Sequence, residues 1–309
     1  MDKRTQLSNQ LMRFMSKIMR RSVAEYRQAL WFVNQRFRKS VTMRTKQGIF
    51  RLPTSVNDPI SRELFIYREY ELNLISSATA FIREYRGIPH GKGTILDIGA
   101  NNGVISIGML VRGIAARAIA IEPDPRNFVT LQHNIALNQL ENAFTALNYA
   151  VSDSKSTLQF ELSATNFGDH RVRTASSLAK SAELFGESNR QVIHVEADTV
   201  DNLLAALDEN VYKDIFAVWI DVQGYEGYVF KGAEKLLKSG IPVVAEIWPY
   251  AIQRAGMTQE AFCEIIGNIW TSYWVWRKDK FVQYPIEVFY TFFAELGNGR
   301  NFENVIFTR

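Results

Sequence analysis

The chain has 309 residues, 47% of them apolar and 22% charged, with a net charge of +4. That length suits one large domain or one domain with an extension, and the apolar content excludes an intrinsically disordered chain. Cys263 is the sole cysteine, which excludes an intrachain disulfide and a multi-cysteine zinc site and fits a reducing compartment.

No stretch approaches the roughly 20 apolar residues of a membrane span. The N-terminus lacks the compact apolar run of a secretory signal, so the cytoplasm is the expected location. Charge is unevenly spread. Through Lys46, twelve basic residues face only Asp2 and Glu25, so this stretch carries +10 and the remainder −6.

In residues 1–46, Leu7, Leu11, Met15, Met19, Val23, Tyr26, Leu30, Val33 and Phe37 recur every three or four positions. This is the apolar stripe of an amphipathic helix. It can pack on the body, pair with a second copy as a homo-oligomer, or meet an anionic membrane surface or nucleic acid. Residues 47–92 read as a connector with Gly48, Pro53, Asp58 and Pro59, then a lead-in helix over Ser61–Tyr85 with Ser61 as its N-cap. The glycine-rich turn Arg86–Gly93 ends it.

Residues 93–309 alternate strands and helices. Strands are expected at Thr94–Ile98, Ala118–Ile121, Ala146–Val151, Ile215–Val222, Ile241–Ile247, Tyr273–Arg277 and Val305–Thr308. Helices are expected at Val104–Gly113, Asn127–Leu140, Val200–Leu207, Gly224–Leu237 and Thr258–Trp270. Ser156–Leu162 and Gln191–Val195 read as added strands around an inserted stretch, Ser163 to Arg190. Repeated β–α units predict an α/β, Rossmann-like, mostly parallel seven-stranded sheet with helices on both faces.

The informative stretch is LDIGANNG, Leu96 to Gly103, where an apolar strand runs into a small-residue turn that opens a helix. Gly99 permits the tight turn, and Ala100 and Gly103 keep bulk away from a ligand approaching the helix N-terminus. A dinucleotide fingerprint would need a second glycine where Asn101 stands. Asp97 would also lie beside a pyrophosphate. A cationic adenosyl ligand, S-adenosyl-L-methionine, suits that carboxylate better. The second strand ends IAIEPDP, and Glu122 lies where an acid accepts both hydrogens of a ribose diol. The third ends YAVSD, where Ser152 and Asp153 are expected at the adenine edge.

The ordered set LDIGANNG, AIEPDP, LQHNIALN, YAVSD, ADTVDNL, WIDVQGYEGYVFKGA and AEIWP resembles the FkbM family of methyltransferases from about Asp58 to the C-terminus. The resemblance implies a class I methyltransferase fold. It also implies methyl transfer from S-adenosyl-L-methionine, usually to a hydroxyl of a small molecule or glycan. It carries over Asp97, Gly99, Asn101, Gly103, Glu122 and Asp153 as cofactor residues, with Glu71 in the family's lead-in. Ala100, Asn102, Pro123 and Ser152 are counted with them. Where the family often has DVEG, this chain has Asp221-Val222-Gln223-Gly224, which removes one carboxylate and weakens a two-acid metal site.

Three residues are candidates for a base near the acceptor hydroxyl. Asp221 ends the fourth main strand, and Glu246 ends the fifth within an apolar run, where a carboxylate needs a partner or a function. His170 lies in the inserted stretch, and imidazole is a common general base. The aromatic residues after the fifth strand, Trp248 to Trp276, belong to a core or an acceptor wall. An RNA methyltransferase using the basic arm and a non-catalytic adenosyl-ligand-binding protein are the competing readings.

Overall fold

The computed structural model describes residues 21–54, 58–174 and 184–309. Helix α1 (21–37) leads into a hairpin of β1 (Ser40–Thr45) and β2 (Gly48–Pro53), followed by α2 (Pro59–Tyr67) and α3 (Leu72–Arg86). Then come β3 (Thr94–Ile98), α4 (Val104–Val111), β4 (Arg117–Ile121), α5 (Pro125–Leu137) and β5 (Phe144–Leu147). The next strands are β6 (Ala150–Val151), β7 (Ser156–Leu162), β8 (Arg171–Arg173) and β9 (Gln191–Asp198). After α6 (Val200–Ala205) and α7 (Glu209–Tyr212) come β10 (Ile215–Ile220), α8 (Glu226–Gly232), α9 (Glu234–Lys238) and β11 (Val243–Ile247). The chain ends with α10 (Pro249–Arg254), α11 (Gln259–Ile269), β12 (Ser272–Arg277), β13 (Lys280–Pro285), α12 (Phe289–Leu296) and β14 (Glu303–Thr308).

The main sheet has the order β13-β12-β14-β11-β10-β3-β4-β5. Six strands run one way, while β14 and β13 run against them. The mostly parallel, Rossmann-like expectation holds, with eight strands in place of seven. The eighth, β13, folds back on β12 through Lys278 and Asp279, both at positive φ (48° and 63°). Lys278 is a poor sign of such a turn, which asparagine and glycine usually mark.

Alternation within the strands buries both faces of the sheet. Ile95, Ala217, Trp219 and Val244 pack with Ile75, Ala78 and Ile82 of α3 and Met109 of α4. Leu96, Ile98, Val218 and Ile220 face the other way, into a core with Val229 and Phe230 of α8, Phe262 and Ile266 of α11, and Phe289 and Phe293 of α12. The chain reverses its direction of build between β3 and β10, and the ends of those two strands form the crevice where ligands of such sheets bind.

Several boundaries differ from expectation. The strand expected over Ala146–Val151 breaks at Asn148, whose side chain donates to the Glu122 and Pro123 carbonyls (2.8 and 3.1 Å). Beyond it, β6 leaves the main sheet and joins a second sheet, β6-β9-β7-β8. The single helix expected over Ser61–Tyr85 is two, interrupted where Arg68 and Glu71 take positive φ (65° and 47°). Asp58, not Ser61, caps α2, accepting from the Ser61 amide at 2.8 Å.

The division at residue 46/47 falls inside the β1–β2 turn, and the segment expected as a connector is a strand docked on α5. Asn134 and Asn138 reach out of α5 to accept from the Arg51 and Ile49 amides, each at 2.8 Å.

The arm is amphipathic with an unexpected orientation. Trp31 is fully buried against Phe65, with ring centroids 5.3 Å apart, and Arg27 donates to the Ile66 carbonyl. The expected stripe points elsewhere: Val23, Tyr26, Val33 and Phe37 are all exposed. Periodicity finds a stripe but not its partner, and one indole buries more surface than any single residue of the stripe. Leu7, Leu11, Met15 and Met19 lie outside the described residues. Among the described residues no helix is long and apolar enough to cross a membrane.

Candidate active site

The turn after β3 is held by close backbone approach. Gly99 has φ +86°, and a Cβ there would lie 1.9 Å from the Asp221 carbonyl oxygen. Only glycine lets the ends of β3 and β10 come this near. The amides of Gly99 and Ala100 donate to the Ile121 carbonyl (2.9 and 3.1 Å). Asn101 (φ 51°) completes the bend and donates its amide to Glu122 Oε2 at 2.8 Å.

A narrow cavity opens above this turn. Gly99, Asn101, Glu122 and Pro123 line it, with Ile121, Tyr149, Val151, Phe160, Val222 and Tyr225 as its apolar walls. Glu122 accepts from the Asn101 and Asp124 amides, one on each oxygen and both at 2.8 Å. Burial pushes its carboxyl up to about 8, against the pull of those two amides.

The remaining expected cofactor residues serve the turn rather than the cavity. Asp97 is 1% exposed, and burial raises it to about 6 while Ser106 of α4 favours its charge. It is not among the residues that line the cavity, where contact with the methionine end, direct or through water, was expected. Ala100 is in the core with Val104 and Leu131. A Cβ on Gly103 would meet Leu131 and Ile107 at 2.6 and 2.7 Å, so that glycine serves helix packing, not ligand approach. Asn102 caps the start of α4, its Oδ1 accepting from the Val104 amide at 3.2 Å. Ser152 is buried with its hydroxyl 3.2 Å from the Tyr225 hydroxyl, outside the cavity lining. Asp153 is exposed and also outside the lining, which corrects its place at an adenine edge. Aspartate favours turns on its own account, and that signal misled.

His170 lines the same cavity, yet both ring nitrogens are engaged. The Ser163 amide donates to Nδ1 at 3.0 Å, so the ring proton resides on Nε2, 3.0 Å from Asp124 Oδ2. Burial opposes ionisation of Asp124, but hydrogen bonds from His170 and Arg126 outweigh it and hold that carboxyl well below the usual range. A lone pair committed to a backbone amide cannot accept a substrate proton, so His170 is corrected from base to brace. His170→Ala is expected to lower stability by about 1–3 kcal/mol, the cost of a buried amide left unpaired. Calorimetric melting measures this, and the pH–rate profile should keep its shape.

A second, wider cavity adjoins the first, and Gly168, Asp221 and Gln223 line both. Asp221 and Glu246 face into it, joined through Gln223, whose Nε2 donates to Asp221 Oδ1 at 2.7 Å and to Glu246 Oε1 at 3.1 Å. Burial raises Asp221 to about 6, and burial and then the Asp221 charge push Glu246 well above the carboxylate range. Glu71 also lines this second cavity, not the first, and burial followed by the Asp221 charge raises it to about 7. Its expected place beside the cofactor turn is corrected to the second cavity. Among the described residues no three His, Cys, Asp or Glu side chains form a group able to hold a metal ion.

Sequence reading missed the walls. Phe167 and Gly168 close one side, and Asp58 Oδ1 fixes the Phe167 amide at 3.0 Å. Arg171, 2% exposed, lies 4.6 Å from the Trp248 ring and bonds Asp169 and Glu187. Arg254 pairs with Glu161 at 2.7 Å, and the Tyr250 hydroxyl donates to Glu187 at 2.7 Å. This buried ion lattice ties the second sheet to α10. The Asp-His-Arg-Val-Arg run at 169–173 was its only sequence sign.

A central parallel sheet with β14 reversed beside β11, and a small-residue turn at the switch point, define a class I methyltransferase fold. The chain belongs to the FkbM methyltransferase domain family, whose profile matches residues 97–271. Ribosomal protein L11 methyltransferase of Heliobacterium modesticaldum is 28% identical over 128 residues, covering 41% of this chain and 40% of that protein. The chain thus spans well under half the length of this curated relative. The FkbM methyltransferase of Methylobacillus flagellatus KT overlaps 82% of this chain and 56% of its own, with 12% identity and a TM-score of 0.41. TYW2 of P. horikoshii, solved in complex with MeSAdo, overlaps 87% and 70%, with 14% identity and a TM-score of 0.34.

Proposed function

We propose that this protein transfers a methyl group from S-adenosyl-L-methionine to a hydroxyl oxygen of a small molecule or glycan in the cytoplasm. The observation that carries the reading is the pair of adjoining cavities meeting at Asp221. One is narrow and largely apolar, with Glu122 as the acid that the second cavity does not share; the other is wide, with carboxyl groups and aromatic rings.

The first cavity fits the cofactor. Glu122 would hold the ribose diol: its two amide bonds leave lone pairs on both oxygens, and Tyr149, Val151 and Phe160 offer an apolar slot for a flat ring. When bound, S-adenosyl-L-methionine supplies a methyl group on a positively charged sulfur, already a strong electrophile. The carboxylates of Asp221 and Glu246 and the aromatic side chains of Phe185, Trp248 and Phe302 surround the acceptor cavity. Rings of this kind stack on sugar faces and planar substrates. Asp221 accepts the hydroxyl proton as the oxygen bonds to the methyl carbon, and the electrons of the broken carbon–sulfur bond stay on sulfur. Gln223 holds Asp221 and Glu246 in place. Alignment of the acceptor and exclusion of water are the remaining tasks of the walls.

Glu122→Gln tests the cofactor assignment. Titration calorimetry with S-adenosylhomocysteine should show affinity about 10–100-fold weaker, the loss of charge-assisted hydrogen bonds. A ligand that donates to Glu122 favours its charged form, so wild-type affinity should rise from pH 6 toward pH 9, through the raised value of about 8. Unchanged affinity in Glu122→Gln, with the chain folded, removes Glu122 from the site.

A further inference from the structure

Helix α1 carries an apolar face that nothing in the described structure covers. Val23, Tyr26, Val33 and Phe37 are 45%, 65%, 54% and 79% exposed, while Leu30 beside them packs against the core that holds Trp31. At 100° per residue this face lies roughly 120° round the helix from Trp31, which docks on α2. Between residues 21 and 46, seven basic residues accompany a single acid, Glu25, itself paired with Arg21 at 3.0 Å.

We propose that α1 lies along an anionic lipid surface, with Val23, Tyr26, Val33 and Phe37 in the interface and the surrounding arginines and lysines on the headgroups. Both halves of the pattern are then used. Apolar side chains leave water, and each nearby cation meets negative charge. A nucleic acid would use the charges but leave two aromatic rings and two valines in water. A second copy would cover the stripe but bring another seven basic residues and a single acid against the first set, where paired helices need opposite charges. The rest of the chain carries −6, so the same surface repels it and contact stays with the arm. The first twenty residues repeat the spacing in sequence, with Arg13, Lys17 and Arg20 among Leu7, Leu11, Met15 and Met19.

Vesicle co-sedimentation of the full chain tests this. Phosphatidylcholine vesicles should leave the protein in solution. Vesicles with about 30% phosphatidylserine should bind it at about 0.1 M salt and release most of it at about 0.5 M. Tyr26→Ser combined with Phe37→Ser should weaken binding at least about tenfold. Both side chains are more than half exposed, so the melting temperature and affinity for S-adenosylhomocysteine should not change, which separates this result from the reading of the active site. Absence of binding to anionic vesicles overturns the proposal, as does full binding by the double variant. Sedimentation equilibrium showing a dimer that the double variant dissolves would give the face to a second copy. RNA binding that survives the double substitution, with vesicles unbound, would give the arm to nucleic acid.

Discussion

Turnover of Asp221→Asn is expected to fall at least about a hundredfold, the lower range for loss of a general base, while affinity for S-adenosylhomocysteine stays within about threefold of wild type. Asparagine keeps the shape and the Gln223 contact but cannot take a proton. The wild-type rate should climb with pH and level off above about 6, because burial raises the Asp221 carboxyl to that value and only its charged form accepts the proton. Stability should run the opposite way. A carboxyl whose folded value is raised binds more protons folded than unfolded, so its contribution is present at low pH and lost as pH rises through about 6. Asp221→Asn should therefore melt higher than wild type at pH 8, by an amount on the order of 1–2 kcal/mol, and show little difference at pH 4. Scanning calorimetry at the two pH values checks this. Full activity in Asp221→Asn would transfer the base role to Glu246.

The second large effect is steric. Gly99→Ala is expected to cost about 3 kcal/mol or more, lowering the melting temperature by roughly 6–12 °C and abolishing cofactor binding. The new methyl would overlap the Asp221 carbonyl at 1.9 Å, which is backbone and has no rotamer to escape into. Relief must come from separating β3 from β10, which opens the floor shared by both cavities. Gly113→Ala is the matched control. Its φ is also positive, +65°, but a Cβ there meets nothing within 4 Å. It should cost only about 1 kcal/mol, the price of the conformation alone. Equal losses in the two variants would show that close approach at Gly99 is not what the turn requires.

Legibility varied with the distance over which each feature is made. LDIGANNG and IAIEPDP could be read because they belong to consecutive strand ends: Asn101 and Glu122 are 21 residues apart, and the Asn101 amide bonds the Glu122 side chain directly. The acidic strand ends at Asp221 and Glu246 could be placed on one edge because parallel strands repeat their direction. Asp97, Ala100, Asn102 and Gly103 were correctly set in and around the turn, but none of them lines the first cavity. A short motif states that bulk is forbidden but not which neighbour forbids it; here the neighbours are Leu131 and Ile107, not a ligand. His170 shows the same limit, since its two partners, Ser163 and Asp124, come from different elements.

The amino-acid sequence alone determined the α/β alternation, the family, the turn and the acid that faces the first cavity, because these depend on periodicity and on contacts within one β–α unit. Tertiary structure alone decided the second cavity, which gathers Glu71, Asp169, Asp221, Glu246 and Arg300 from five separate stretches. It also decided which side of α1 faces the body, where burial of Trp31 outweighed the longer stripe. Packing between distant segments follows shape and desolvation at the meeting point, and neither is encoded in the spacing of residues along one segment.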